Sequence, residues 1–284
     1  MGNLLPIQSL LLEGVHFGEQ VERHPEYIKA HCTVHQRAEQ FAQQIAVKQT
    51  HPRGGYPPRR RLHRQKARRL RRPRVASGVR VTNLNPADTI GASAWLVELG
   101  RHRMLLDAGT HPGSEGRSAL PLYSQAAEAD VDAIAISHCH HDHCGSLPVA
   151  LRHFPRAKVF MTEPSYFLVE RVLHNSVNVM KRQREEQGIT EYPLYHHREV
   201  DELSFLFQGF RYGHVEPWGQ FDADTAGDSP TISFHHAGHV LGSAGLRVAH
   251  GRESLFYTGD VCFHDQTLSP RADFAGTRSD VLLM

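Results

Sequence analysis

The segment SHCHHDHCGSLP, residues 137–148, places four histidines and one aspartate between His138 and His143. It follows the run VDAIAIS, residues 131–137, which is typical of a buried strand. In extended backbone, side chains two positions apart project to the same side, so His138 and His140 point together. Zinc binds imidazole nitrogens at ~2.0–2.1 Å, and a following carboxylate and imidazole can serve a neighbouring metal. The segment therefore predicts two adjacent zinc sites in one loop.

A histidine-rich surface patch is the alternative explanation, because the chain contains 22 histidines. The position of the run at the end of a buried strand argues against it, since functional side chains are concentrated where strands end in loops. Two further residues strengthen the metal interpretation. His239, in HHAGHVLGSAG, lies between a predicted strand and a glycine-bearing turn, and Asp260, in FYTGDV, ends another strand. Together they can complete the coordination.

Four short motifs together resemble those of the metallo-β-lactamase superfamily. They are Asp107 in LLDAG, the run from His138 to His143, His239 in AGHVLGSAG and Asp260 in YTGD. The wording SHCHHDHCGSLP, the helical segment of about 95 residues before AGHVLGSA and the closing DVLLM are similar to the β-CASP branch, which includes RNA-processing nucleases. The resemblance implies an α/β protein with a four-layer αββα sandwich, incomplete at the C-terminus.

The resemblance also implies a role for each motif residue. One zinc would be bound by three imidazoles and the second by a carboxylate and an imidazole. One more carboxylate would bridge both metals, and a buried carboxylate would orient a ligand without binding metal itself. The three imidazoles of the first zinc would be those of His138, His140 and His239, and the second zinc would be bound by Asp142 and His143. Asp260 would be the bridging carboxylate, and Asp107 would be the buried orienting carboxylate.

A pair of zinc ions suits phosphodiester hydrolysis, because divalent metals activate water and offset the charge that gathers in the phosphoryl transition state. Asp142 is the predicted catalytic residue, placed to orient the attacking oxygen. Cys139 and Cys144 flank the ligands, but neither occupies a motif position, and we predict that they do not bind metal. His235 and His236 precede the third motif and receive no predicted role.

The charge of the chain divides at Arg74. Residues 1–74 contain 15 basic and 5 acidic residues, whereas the remainder contains 17 and 25, so the small net charge of +2 hides two different segments. Ten of the sixteen residues in RRRLHRQKARRLRRPR are Lys or Arg. A phosphate-binding arm is one interpretation of this run, and a solvated disordered tail or translated upstream sequence is the other. The candidate nucleic-acid contacts are Arg59, Arg60, Arg61, Arg64, Arg68, Arg69, Arg71 and Arg72.

The sequence predicts two regions in the 284-residue chain. Residues 1–77 form a basic, disordered extension with one short helix near 39–47, and residues 78–284 form the metallo-β-lactamase domain. Hydrophobic patterns predict helices and strands within this domain. The predicted helices are 120–129, 147–154, 163–187 as one or two helices, and 199–207; the predicted strands are 79–84, 93–99, 102–109, 131–137, 158–162, 210–215, 231–239, 243–250, 254–261 and a last one beginning near 280.

Composition indicates a soluble protein. No stretch approaches the ~18 apolar residues that a transmembrane helix needs. Four cysteines are too few and too scattered for a disulfide framework, which favours a reducing cytoplasm.

The chain ends on SDVLLM, which reads as a buried strand that has just begun. In the β-CASP branch, as the resemblance implies, a further domain supplies the last ligand of the second zinc. We therefore expect a truncated sequence with an incomplete second zinc site, weak zinc binding there and little nuclease activity. A homodimer would form through regions outside this chain.

The leading hypothesis is a zinc-dependent nuclease acting on RNA, with DNA as the alternative substrate. A small-molecule thioester hydrolase of the same fold is the second enzymatic hypothesis. A catalytically silent scaffold of RNA processing is the third, although every ligand expected within the matched region is present. A diiron oxidoreductase is disfavoured, because that branch carries a carboxylate where this chain has His140.

Overall fold

The computed structural model describes residues 78–86, 90–126, 130–219 and 229–284. All of them belong to one structural unit, Pro52–Met284. The eight arginines of the basic run and the short helix predicted near residues 39–47 lie outside the described residues.

The first β-sheet has six strands in the order β1-β2-β3-β4-β5-β6. Its first three strands are antiparallel, and its last three are parallel to β3. A parallel arrangement requires a crossover between strands, and helices supply it for β5 and β6. The strands are β1 Val79–Asn83, β2 Trp95–Leu99, β3 His102–Leu106, β4 Ala133–Ala135, β5 Lys158–Thr162 and β6 Phe207–Phe210.

The second β-sheet has the order β11-β10-β9-β8-β7. Strands β7 to β10 are antiparallel, and β11 lies parallel to β10. The closing segment SDVLLM therefore contains a strand, as predicted, but this strand is partly exposed instead of buried. The strands are β7 Val215–Pro217, β8 Thr231–His236, β9 Ala244–His250, β10 Glu253–Tyr257 and β11 Val281–Leu283.

The two sheets share one hydrophobic core. Side chains from both sheets belong to a single cluster, and burying each large apolar side chain of this kind stabilises the fold by roughly 1.5–3 kcal/mol. The mixed α/β class with two packed sheets is thus confirmed. The cluster includes Val97, Leu106 and Phe160 from the first sheet and Phe234, Leu246 and Leu255 from the second.

Four helices connect the strands around the first sheet: α1 His141–Cys144, α2 Leu147–His153, α3 Glu163–Gln187 and α4 His197–Ser204. Helix α3 packs against β5, β6 and α4, and α2 packs against α4. The Thr162 hydroxyl caps the start of α3 by accepting from the Ser165 amide, and Gly188 ends the helix in a left-handed conformation. A helical layer over the second sheet remains a prediction.

No helix within the described residues has the length and apolarity required to cross a bilayer.

The structure corrects the prediction of a helix over residues 120–129. A short 3₁₀ helix, Gly116–Ala119, ends just before this region, a second one, Tyr123–Ala126, lies within it, and residues 127–129 are not described. Pro121 separates the two turns, because proline has no amide hydrogen to continue a helix.

The structure also corrects the boundary between the next helix and strand. Helix α4 begins at His197 and ends at Ser204, so Phe207 starts β6 instead of ending a helix. The predicted strand 210–215 is wrong as a single strand, because it spans the passage from β6 in one sheet to β7 in the other. Gly213 turns the chain there with a φ of 78° and donates its amide to the Phe234 carbonyl.

Candidate metal centre

The predicted site residues, which are the ligands and the orienting Asp107, come from loops that follow four strands in two different sheets. The run from His138 follows β4, and Asp107 follows β3, which is parallel to β4. His239 and Asp260 follow β8 and β10, which share a direction because both are antiparallel to β9. Strands of one sheet that run in the same direction end at the same edge of that sheet. Each sheet therefore presents its site residues at a single edge.

Four side chains form a cluster of metal-binding geometry. His138, His140, His239 and Asp260 each offer one ligand atom, and these atoms all lie within 4.8 Å of one another. Nδ1 of His140 lies 3.2 Å from Nε2 of His239, and Oδ2 of Asp260 lies 3.4 Å from the same nitrogen. Three imidazoles and a carboxylate form a donor set that suits zinc.

The Nε2 atom of His138 supports the fit to a metal. The ring is fully buried, and this nitrogen has no hydrogen-bond partner among the described residues. An unsatisfied buried polar atom is costly and calls for an explanation, such as an ion. Burial lowers the pKa of His138 to about 3, which keeps the imidazole in the neutral form that binds metals. Burial also lowers the pKa of His239.

A second group of predicted ligand atoms, from His143 and Asp142, lies near the other carboxylate oxygen of Asp260. Nε2 of His143 is 3.4 Å from Oδ1 of Asp260 and 3.7 Å from Oδ2 of Asp142. Hydrogen bonding to His143 is the main cause that holds the pKa of Asp260 below its usual range. The two carboxylate oxygens of Asp260 therefore face two different imidazoles, His143 and His239, as a bridging ligand would.

Asp107 holds His143 of this second group from the buried side of the site. Its carboxylate is fully buried and accepts hydrogen bonds from Nδ1 of His143 at 2.7 Å and from the Ser137 amide at 2.7 Å. Burial by itself would raise the pKa of Asp107, but the charge of His143 and these hydrogen bonds outweigh burial and lower it. Conversely, burial disfavours protonated His143, but Asp107 raises its pKa to about 10. Asp107 thus turns Nε2 of His143 toward Asp142 and Asp260.

The family model of the metallo-beta-lactamase superfamily matches residues 87–282, which include every residue of both groups. The chain belongs to this superfamily. The match confirms the resemblance that the four motifs predicted.

Curated relatives in this superfamily include RNA-cleaving enzymes. The chain is 30% identical over 202 residues to the endoribonuclease ysh1 of Schizosaccharomyces pombe, which is 71% of this chain and 25% of that protein. It is 29% identical over 230 residues to the transcription termination factor FttA of Methanocaldococcus jannaschii, covering 78% of this chain and 34% of that protein. These relatives confirm the predicted resemblance to the ribonuclease branch. The chain spans about a quarter to a third of their length.

Two residues that sequence reasoning missed also donate hydrogen bonds to Asp107. The Tyr257 hydroxyl and the Ser137 hydroxyl donate to Oδ2 of Asp107 at 2.7 and 2.9 Å. Burial, followed by the charge of Asp107, raises the pKa of Tyr257 far above its usual value. Ser137 directly precedes the histidine run and Tyr257 precedes TGD, but a serine and a tyrosine at strand ends carry no sequence signal of such a role.

His141, which lies inside the histidine run, forms hydrogen bonds with protein side chains through both of its ring nitrogens. Its Nδ1 lies 2.6 Å from the Thr110 hydroxyl and its Nε2 lies 2.8 Å from the Ser176 hydroxyl on α3. Both ring nitrogens are thereby occupied by protein groups. His141 ties the ligand loop to α3 and is not among the clustered ligand atoms.

The other metal-binding residue types near the site lie apart from the four-residue cluster. His235 contacts the hydroxyls of Ser233 and Thr277, and the His236 ring packs on Tyr212. Cys139 and Cys144 supply no atom to the cluster, although their exclusion as ligands remains a prediction. The Cys144 thiol is buried and donates to the Cys139 carbonyl, and burial raises its pKa well above the usual value. These two histidines and two cysteines therefore play no part in the ligand geometry described.

Proposed function

We propose that this chain is the metallo-β-lactamase part of a zinc-dependent hydrolase that cleaves RNA phosphodiester bonds. The observation that carries the proposal is the cluster of four ligand atoms, together with the buried Nε2 of His138, which has no hydrogen-bond partner among the described residues. The named endoribonuclease relatives support RNA as the substrate class.

The donor set suggests how the zinc ions would be held. Nε2 of His138, Nδ1 of His140 and Nε2 of His239 would bind one ion. Asp142 and Nε2 of His143 would bind the second, with Asp260 shared between them. The identity of the metal as zinc and the count of two are part of this proposal, supported by the dominance of imidazole nitrogen among the donors.

Zinc bound by these residues would activate water and would stabilise the negative charge that develops on a phosphoryl group. The residues of the chain contribute orientation. Asp142 carries a partly exposed carboxylate beside His143, so it can accept a hydrogen from the attacking water and fix its direction. Asp107, whose carboxylate accepts from Nδ1 of His143 and is itself held by other donors, keeps the His143 ring from rotating.

Exposure within the cluster indicates where a substrate would enter. His138 is buried, His239 and Asp260 are half-buried, and His140 is exposed. A phosphodiester would therefore approach from the side of His140. This direction leaves the buried side to Asp107, whose position excludes it from substrate contact.

Three further features belong to this proposal. The eight arginines of the basic run would bind the nucleic-acid backbone through charge, which would make affinity depend on salt. A homodimer is the proposed oligomeric state. A cytoplasmic location is supported by the small number of cysteines.

The test is cleavage of a labelled RNA by the full chain, with the protein in excess so that slow turnover is measurable. A DNA of the same sequence and a thioester are assayed alongside. We expect zinc-dependent cleavage of RNA that a chelator abolishes. Cleavage of DNA alone would contradict the assignment of RNA, and turnover of the thioester alone would contradict a nuclease.

Two histidine variants make the test specific to the site. His140→Ala removes a ligand and should lower the rate by at least the roughly 10–100-fold that loss of a mere supporting residue costs. His196→Ala is the matched control, because His196 is exposed just before α4 and remote from the cluster in the sequence. Equal rates for both variants would exclude this cluster as the active site.

A further inference from the structure

We propose that Gln266 is a positioning residue that fixes the main chain of His239 for metal binding. The proposal rests on the zinc site proposed above and concerns a residue outside the ligand set. Gln266 lies on the loop that follows Asp260, six residues further along the chain.

The Gln266 side chain holds two consecutive carbonyl groups. Its Nε2 donates to the Gly238 carbonyl at 2.6 Å and to the His239 carbonyl at 2.9 Å. An amide group has two N–H donors, so one side chain can satisfy both acceptors at once. These contacts fix the position of the His239 carbonyl.

The amide of His239 is held separately. The buried Ser243 hydroxyl oxygen accepts from the His239 amide at 3.0 Å and from the Val240 amide at 3.1 Å. The side chains of Ser243 and Gln266 therefore form hydrogen bonds with the amide and the carbonyl of His239, respectively. Rotation of the main chain, which would carry the imidazole away from His140, is opposed from both directions.

The loop that carries Gln266 is itself docked against the His239 segment. The Cys262 amide donates to the Ala237 carbonyl at 2.9 Å, and the Ala272 amide donates to the Cys262 carbonyl at 2.7 Å. The contact is close: a Cβ on Gly238 would lie 2.4 Å from both the Cys262 oxygen and the Ala272 nitrogen. Gly238 also adopts a φ of 72°, which favours glycine.

Gln266 is set for this contact by a turn of its own. Its amide donates to the Ser269 carbonyl at 2.9 Å. One segment therefore carries both the ligand Asp260 and the clamp on the ligand His239. The segment therefore fixes the position of His239, which follows β8, relative to Asp260, which follows β10.

The test measures zinc affinity of the full chain by competition with a chromogenic chelator. Gln266→Ala should weaken zinc binding roughly tenfold, within the range found for residues that support metal ligands. Gln266→Glu keeps the size but presents acceptors to two carbonyls, and should weaken binding at least as much. Thr267→Val, an isosteric change at the next exposed position, should leave affinity unchanged.

Two further readouts separate positioning from a general structural role. The visible absorption of bound Co²⁺ should change in both Gln266 variants and not in Thr267→Val, because the ligand geometry changes. The metal-free proteins should all unfold at the same temperature, since Gln266 is exposed.

Unchanged zinc affinity in Gln266→Ala would overturn the role of Gln266 while leaving the proposed function intact. Equal weakening by Thr267→Val would also overturn it, because any change in the loop would then suffice. A wild-type chain that binds no zinc would instead overturn the proposed function, and this inference with it.

Discussion

Asp107 illustrates how one buried side chain organises a reactive surface. It adopts a φ of 61°, a left-handed conformation that Asp tolerates better than most residues. Its carboxylate then meets donors from both sheets, including Ser137 after β4 and Tyr257 at the end of β10. The sequence predicted an orienting carboxylate here through the LLDAG motif, but it could not predict the donors, which come from residues 30 and 150 positions away.

We predict that Asp107→Ala strongly destabilises the metal-free protein. The change leaves the hydroxyls of Ser137 and Tyr257 and the His143 ring without their buried acceptor. Breaking a buried charged network of this kind costs about 3–5 kcal/mol. Urea denaturation of the purified variant measures the loss in the free energy of unfolding.

The control for this prediction is Asp130→Ala. Asp130 pairs with Arg156 at the surface, and both side chains are largely exposed, so the loss should be at most about 1 kcal/mol. If Asp107→Ala unfolds at the same urea concentration as this control, Asp107 does not hold the network that its contacts describe.

The loop after β3 and the loop carrying the histidine run are joined by their backbones. The Ala108 amide donates to the His143 carbonyl, the Thr110 amide to the His141 carbonyl and the Ser146 amide to the Ala108 carbonyl. The loop that carries Asp107 and the loop that carries the histidine ligands therefore behave as one element. The contact is possible because Gly109 lies at its centre and has no side chain.

We predict that Gly109→Ala disrupts this element and lowers zinc affinity. A Cβ at this position would lie 1.6 Å from the Asp142 carbonyl oxygen, so one of the two backbones must move. Gly113→Ala is the control, because its Cβ would meet only the movable His111 ring at 3.2 Å. Calorimetric titration with zinc compares the two variants. Wild-type affinity in Gly109→Ala would contradict the joined-loop description.

Strand positions were largely predictable, because alternating and continuous apolar runs such as those of β3 and β8 reflect burial directly. The passage from β6 to β7 was not predictable. FRYGHV has the composition of one strand, but its two ends pair with strands of different sheets, β6 with β5 and β7 with β8. The helix predicted after Pro121 was wrong for a related reason. Tertiary contacts, such as that between the hydroxyls of Tyr123 and Ser146, determine the short turns there.

The molecule as a whole brings together ligands from two sheets. The histidine run comes from the first sheet, whereas His239 and Asp260 come from the second, and each set is separated from the other by about 95 residues or more. Motif resemblance predicted which residues would meet. The supporting contacts of Gln266, Tyr257 and Ser243 could not be predicted, because they depend on loop conformations that leave no periodic pattern.

Zinc K-edge X-ray absorption of the zinc-loaded full chain tests the central claim most directly. The account predicts that nitrogen and oxygen donors surround the zinc at ~2.0–2.2 Å. It also predicts the more distant scattering that is typical of several bound imidazole rings. Replacing His239 by Ala should reduce the imidazole contribution. A sulfur shell at ~2.3 Å, the signature of Cys139 or Cys144 as ligands, or a spectrum unchanged in His239→Ala, would contradict the account.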